Sequence, residues 1–148
     1  MNTYSETDSV GMYSTQSCLV VPIQIELSKE EALNIQKNIL NLVYAKNIKG
    51  IIIDLSGVSI IDSALWDIFS KTAKMTRMLG FPSVISGLNP GVVASIIDLN
   101  LQTDGITTTL NLEDALSLLT SSDQAYSSNR HNSDMADDSE NIADDEVE

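Results

Sequence analysis

The stretch Ile51-Ile52-Ile53-Asp54-Leu55-Ser56-Gly57-Val58-Ser59-Ile60-Ile61-Asp62-Ser63-Ala64-Leu65 decides the fold. Three consecutive β-branched residues suit a central strand covered on both faces, and Asp54 to Gly57 supplies the turn residues that close it. A helix opens at Asp62 or Ser63, with Leu65, Ile68, Phe69, Thr72, Met75 and Leu79 on one stripe, until Gly80 and Pro82 stop it. Its cations Lys71, Lys74 and Arg77 lie in the C-terminal half, where the helix dipole favours positive charge.

The flanking segments repeat this strand-then-helix unit. Upstream, Leu19, Val21, Ile23, Ile25 and Leu27 alternate with Cys18, Val20, Pro22, Gln24 and Glu26, which predicts a strand, with Pro22 pointing to a place near a sheet edge. A weaker strand near Val10 to Thr15 is expected to pair with it. Ser28 and Glu31 form a capping box, and Ala32, Ile35, Ile39, Leu42 and Val43 recur at helical spacing up to about Lys46. Downstream, Val84 and Ile85 mark a short strand. Asn89 offers an N-cap with Pro90 at the first helical position, and Val92, Val93, Ile96, Ile97 and Leu99 continue that helix. Thr107 to Leu110 reads as a last strand and Asn111 to Leu119 as a last helix, capped by Asn111. The order predicts an α/β protein: a mixed, mostly parallel sheet of four to five strands with about four helices.

At 148 residues one domain is expected, with residues 1–15 as an N-terminal segment able to form a first edge strand, 16–120 as the body, and 121–148 as a tail. The tail holds nine acidic side chains against Arg130 alone, and its few large apolar residues cannot offset the entropy of ordering it, so disorder is expected there. It reads as a solvating segment or as a competitor for a basic groove. A net charge of -13 repels phosphate backbones and anionic bilayers, which sets nucleic-acid binding and membrane-surface roles aside. Met1 to Thr15 has neither the basic nor the apolar region of a signal peptide, and Met78 to Ile97, uncharged for twenty residues, is broken by Gly80, Pro82, Gly87, Pro90 and Gly91. With a single cysteine, Cys18, read as a small buried hydrophobe, a cytoplasmic protein is expected.

The residues leave little room for catalysis. His131 is the only histidine and lies in the tail, so a Ser-His-Asp or Cys-His arrangement on the body is missing. No metal constellation is recognisable, Gly87-Leu88-Asn89-Pro90-Gly91 lacks the features of a phosphate-binding loop, and no cofactor is expected. An aspartate-phosphorylated receiver would need an acidic pair after the first strand and a lysine after the last, and neither is present. Asp54 and Asp62 could form a carboxylate pair, but both occupy ordinary turn and cap positions.

The segment Asp54-Leu55-Ser56, a short loop, and Asp62-Ser63 opening a helix resembles the signature of the STAS domain family, the bacterial anti-sigma-factor antagonists. The likeness extends over residues 16–120. It is strongest to the stressosome scaffold type of that family (RsbS type), through Cys18-Leu19-Val20-Val21-Pro22-Ile23-Gln24, Ile60-Ile61-Asp62-Ser63, and Gly87-Leu88-Asn89-Pro90 before an apolar helix. The resemblance implies a non-enzymatic signalling protein that assembles with sensor-bearing STAS paralogues (RsbR type), sequesters a switch serine/threonine kinase (RsbT type), and releases it when Ser63 is phosphorylated. The bare residues read Ser63 as an N-cap instead. Ser86 is a second, weaker phosphorylation candidate by the same resemblance.

The expected partner-binding surface comprises Ser59, Ile60, Ile61, Asp62, Ser63, Ala64 and Asp67. Asp62 reads either as a turn residue or as a kinase-recognition residue, and Trp66 as either partner-facing or core. Ala64-Leu65-Trp66-Asp67 departs from the Ser-Gly-Leu-Gly continuation of free antagonists, and no sensor domain precedes the body, both of which fit the scaffold type. The alternative is a free anti-anti-sigma factor (RsbV-like) that binds an anti-sigma kinase.

Overall fold

Ser28 and Glu31 close a reciprocal box. The Ser28 N–H donates to Glu31 Oε2 at 2.7 Å and the Glu31 N–H to Ser28 Oγ at 3.2 Å, satisfying two of the donors that a helix start leaves free. Helix α1 (Lys29–Ala45) follows and buries Ala32, Ile35, Ile39 and Val43. The backbone hydrogen bond from Ser28, and then its side chain, hold the Glu31 carboxyl below its ordinary value of 4.5. Because the folded value is the depressed one, the carboxylate supports folding above that ordinary value and this support fades as pH falls through the folded one. A carbon-detected titration of Glu31 should therefore show a midpoint below 4.5; a midpoint at or above it would mean that the box does not persist in solution.

The computed structural model describes residues 11–24, 27–45 and 47–121. The strands are β1 (Tyr13–Thr15), β2 (Cys18–Pro22), β3 (Gly50–Asp54), β4 (Ser83–Ser86) and β5 (Thr107–Thr108), in the order β1-β2-β3-β4-β5. β1 pairs antiparallel to β2 and all other neighbours are parallel. Helices α2 (Ser63–Met78) and α3 (Pro90–Asp98) follow β3 and β4, and α4 covers 112–121. The expected mixed, mostly parallel sheet with four helices is present. Of the tail expected over 121–148, Ser121 still belongs to α4 and residues 122–148 lie outside those described, as do Val10 of the first strand, Lys46, and Ile25 and Glu26 of the second.

Strand parity divides the core in two. Leu19, Val21, Ile51, Ile53 and Ile85 point at residues from α1, α2 and α3, while Cys18, Val20, Ile52 and Val84 point at Ala115 and Leu119 of α4. β2 is therefore buried on both sides rather than alternating in and out, because helices cover both faces of a parallel sheet. Pro22 is also better placed than an edge position would require. The N–H of Ile23 reaches Asp54 O at 2.9 Å, so the Pro22 nitrogen points the other way, where the β1 ladder has already ended at Tyr13↔Val20.

The stripe expected on α2 is rotated. Trp66, Ile68, Phe69, Thr72, Ala73 and Thr76 are buried, Leu65 is half-buried, and Met75 and Leu79 are exposed. Two threonines replace larger apolar groups on the inner face because their hydroxyls bond within the helix, Thr72 Oγ1 to Ile68 O at 2.6 Å and Thr76 Oγ1 to Thr72 O at 3.0 Å. Gln36 of α1 donates to Thr72 Oγ1 at 2.9 Å and joins the two helices. The last strand is shorter than expected, two residues instead of four. The Asn111 cap holds, accepting from the Asp114 N–H at 2.8 Å.

Candidate functional site

The carboxyl ends of β3 and β4 feed two loops, 55–62 and 87–89, that lock against each other. Asp54 Oδ1 accepts from the Ser56 N–H at 3.0 Å, turning the chain as β3 ends, and the Leu55 N–H donates to Ser86 O at 2.8 Å. Asn89 caps α3, its Oδ1 accepting from the Val92 N–H at 3.1 Å, and its Nδ2 donates to the Val58 carbonyl across the gap. Two glycines make the approach possible. A Cβ on Gly87 would lie 2.5 Å from Ser56 N and 2.6 Å from Asp54 Oδ1, and one on Gly91 would lie 2.2 Å from Ser59 O.

On this base Ser59, Ile60, Asp62 and Ser63 are presented to solvent. Ile60 is 74% exposed. Ile61, expected on the same surface, is 1% exposed and belongs to the core, so it anchors the loop while Ile60 stands out. Ser59, Asp62, Ser63, Ala64 and Asp67 are exposed, as expected. Ile60 and Ile61 border two shallow grooves, one shared with Ile23, Leu27, Leu65 and Phe69, the other with Gly91, Ala94, Asp98 and Leu99 of the α3 region.

The cap of α2 is Asp62, whose Oδ1 accepts from the Leu65 N–H at 2.8 Å. Ser63 is the first helical residue rather than the cap, so its hydroxyl is not committed to holding the helix start. This separates two roles that the Asp-Ser pair leaves mixed in sequence. Asp62→Ala should destabilise the domain by about 1 kcal/mol through the lost cap, whereas Asp62→Asn, which keeps an accepting oxygen, should lose only a few tenths. Thermal melts of the two variants check this; equal losses would assign the effect to the charge of Asp62 instead.

Trp66 faces the core at 2% exposure and donates from its indole N–H to Gln102 O at 2.8 Å, so it is not available to a partner. Ser86, the second phosphorylation candidate, also lies inside the fold. It is fully buried, its carbonyl accepts from the Leu55 N–H, and its hydroxyl has no partner among the described residues. Asp54 and Asp62 each serve the backbone beside them, one as a turn acceptor and one as a cap. Asp67 lies 2.9 Å from Lys71 with both side chains more than half exposed, a pair worth little in water.

Sequence reasoning missed the outward face of α3. Val92 and Ile96 are buried, but Val93, Ile97 (71% exposed) and Leu99 are not. The signal was present, since Val92, Val93, Ile96 and Ile97 fill two adjacent stripes of a nine-residue helix and a helix on a sheet needs only one. The bridging role of Asn89 and the steric role of Gly87 and Gly91 were also out of reach, because they depend on contacts to residues about thirty positions away.

Among the described residues no three His, Cys, Asp or Glu side chains gather as a metal site, and no helix is long and apolar enough to cross a membrane.

Comparison with known proteins agrees with this architecture. Two curated relatives from Bacillus subtilis (strain 168) are the RsbT co-antagonist proteins RsbRB, 26% identical over 111 residues and covering 75% of this chain, and RsbRC, 27% identical over 97 residues and covering 66%. The aligned part is 40% and 34% of those proteins, so the chain spans well under half the length of either. Among solved structures, a variant of RsbS from Moorella thermoacetica superimposes with a TM-score of 0.69 at 23% identity, covering 78% of this chain and 98% of that one, a likeness of fold. A chain from the molecular architecture of the stressosome superimposes with a TM-score of 0.63 at 25% identity, covering 74% and 97%. The family model of the STAS domain matches residues 9–115, and the chain belongs to the STAS domain family.

Proposed function

We propose that this chain is a non-enzymatic, cytoplasmic scaffold of a stressosome, which assembles with RsbR-type paralogues, holds an RsbT-type switch serine/threonine kinase, and frees it when Ser63 is phosphorylated. One observation carries the proposal. Ser63 is exposed at the first position of α2 while Asp62 does the capping, three residues after the protruding Ile60. The names of the relatives, RsbT co-antagonists, and the likeness to a stressosome chain support the choice of partners.

The physics of the position suits a switch. A helix start offers free N–H groups and positive potential, so a phosphate on Ser63 is tolerated by the fold. The same phosphate places nearly two negative charges beside an apolar contact, where an unpaired charge is costly to bury. Unmodified, Ile60 and the grooves at its sides offer the partner an apolar contact; modified, the surface repels it. The fold persists in both states.

The direct test is intact-mass analysis of the full chain after incubation with ATP and an RsbT-type kinase. Wild type should gain one phosphate and Ser63→Ala none. Phosphate on Ser63→Ala would move the switch to another residue, and none on wild type would remove the partner-switching reading. Size exclusion with and without an RsbR-type paralogue separates the scaffold from a free anti-anti-sigma factor, because only the scaffold enters a very large particle.

A further inference from the structure

The charge of this chain is segregated along α2. At its N-terminal end the cap residue Asp62 shares one groove with Asp98, and Ser63 borders another with Asp67. Its C-terminal half carries Lys71, Lys74 and Arg77, half of the six cations among the described residues, the others being Lys29, Lys37 and Lys49. Lys71 is paired with Asp67, and Arg77 donates to Gly105 O at 3.3 Å, next to the exposed Asp104. Apolar side chains stand beside these cations: Met78 is 88% exposed, and Met75 and Leu79 are also outside the core. This end of α2 thus presents positive charge together with uncovered apolar surface.

The acidic segment begins at the same end of the sheet. Leu119 in α4 packs so closely on Gly50 that a Cβ there would come within 2.9 Å of it, and within 3.3 Å of Pro82 O. Pro82 O in turn accepts from the Ile51 N–H at 3.0 Å, and Phe81, just before it, bonds back to Thr76 O of α2 at 2.9 Å. The C-termini of α2 and α4 therefore lie on opposite faces of one sheet but at the same end of it. Residues 122–148 carry Asp134, Asp137, Asp138, Glu140, Asp144, Asp145, Glu146 and Glu148, interleaved with Met135, Ile142 and Val147. Extended, such a segment spans up to about 90 Å, so passing around the sheet end is not limited by length. Repulsion by Asp62 and Asp98 disfavours the Ser63 end as its destination.

We propose that residues 134–148 dock on their own domain, against Lys71, Lys74, Arg77 and Met78 at the C-terminal half of α2. Tethering makes the encounter intramolecular, with an effective concentration on the order of millimolar, which lets individually weak exposed ion pairs add up. Lys74, Arg77 and Met78 lie toward the far end of a helix roughly 24 Å long that starts at Ser63, while Lys71, paired with Asp67, borders the Ser63 surface.

Zero-length carbodiimide cross-linking of the full chain tests this, using a mixture of unlabelled and ¹⁵N-labelled protein at low micromolar concentration. Amide links should join Lys71 and Lys74 to acids between 134 and 148. They should form several-fold more often than links to the exposed Lys29 and Lys37, within single-isotope chains, and they should weaken several-fold when the salt is raised from 0.02 to about 1 M, where screening shortens to ~3 Å. Links spread evenly over all six lysines of the chain, or concentrated on lysines other than Lys71 and Lys74, would overturn the proposal. So would mixed-isotope links, which would assign the tail to a second copy, and so would an absence of tail links.

Discussion

Ser63→Asp is expected to weaken binding of an RsbT-type kinase by about 10- to 100-fold, equivalent to about 1.4–2.8 kcal/mol, while leaving the fold intact. The two halves of this expectation have separate causes. At the first position of α2 a carboxylate sits in the favourable potential of the helix start, so the melting temperature should stay level or rise slightly. Across a docked surface the same charge meets no designed partner and must be desolvated beside Ile60. Ser63→Ala should keep the affinity of wild type and lose only the phosphate. Titration calorimetry with the kinase decides the point: wild-type affinity in Ser63→Asp, with an intact fold by circular dichroism, would refute Ser63 as the switch. Aspartate carries about one charge where phosphate carries nearly two, so the phosphoprotein should bind more weakly still.

Gly87→Ala should destabilise the domain by about 2–5 kcal/mol. Gly87 has φ +77, a region that costs an L-residue about 1–2 kcal/mol. Its Cβ would meet backbone at 2.5 Å, and such overpacking adds about 1–3 kcal/mol because Ser56 and Asp54 are held by the sheet below them. Gly80 is the control. It has φ +95 with nothing within 4 Å of the added carbon, so Gly80→Ala should lose only the conformational part. Denaturant melts compare the two directly, and equal losses would mean that the loops 55–62 and 87–89 are not clamped as described. Since Ser59 hangs from this clamp, Gly87→Ala should also loosen the Ile60 surface and lower kinase affinity without touching Ser63.

Much of this protein was legible from local chemistry. The capping box at Ser28 and Glu31, the Asn89 cap with Pro90 behind it, and the Asn111 cap each close hydrogen bonds within four residues, so their residue types announce them wherever the chain then goes. The run Ile51-Ile52-Ile53 likewise declared a strand covered on both faces, because no alternation of polar residues interrupts it. The Asp-Ser pair at a helix start resembled the STAS signature, and the family model of that domain matches residues 9–115.

What the sequence left open was direction. Ile60 and Ile61 are chemically identical, and only the packing of the loop over Val58 and Phe69 turns one inward and the other to solvent. Trp66 and Ser86 were drawn into the interior, and Met75 and Leu79 out of it, by how α2 settles against α1 and β4. Whether Asp62 or Ser63 caps the helix was likewise decided, in favour of Asp62, only once the helix start was fixed in space. Element type follows from bonds that close within a turn of the chain, which the order of residues states outright. Exposure follows from contacts between residues tens of positions apart, and those exist only after the sheet has brought its loops together.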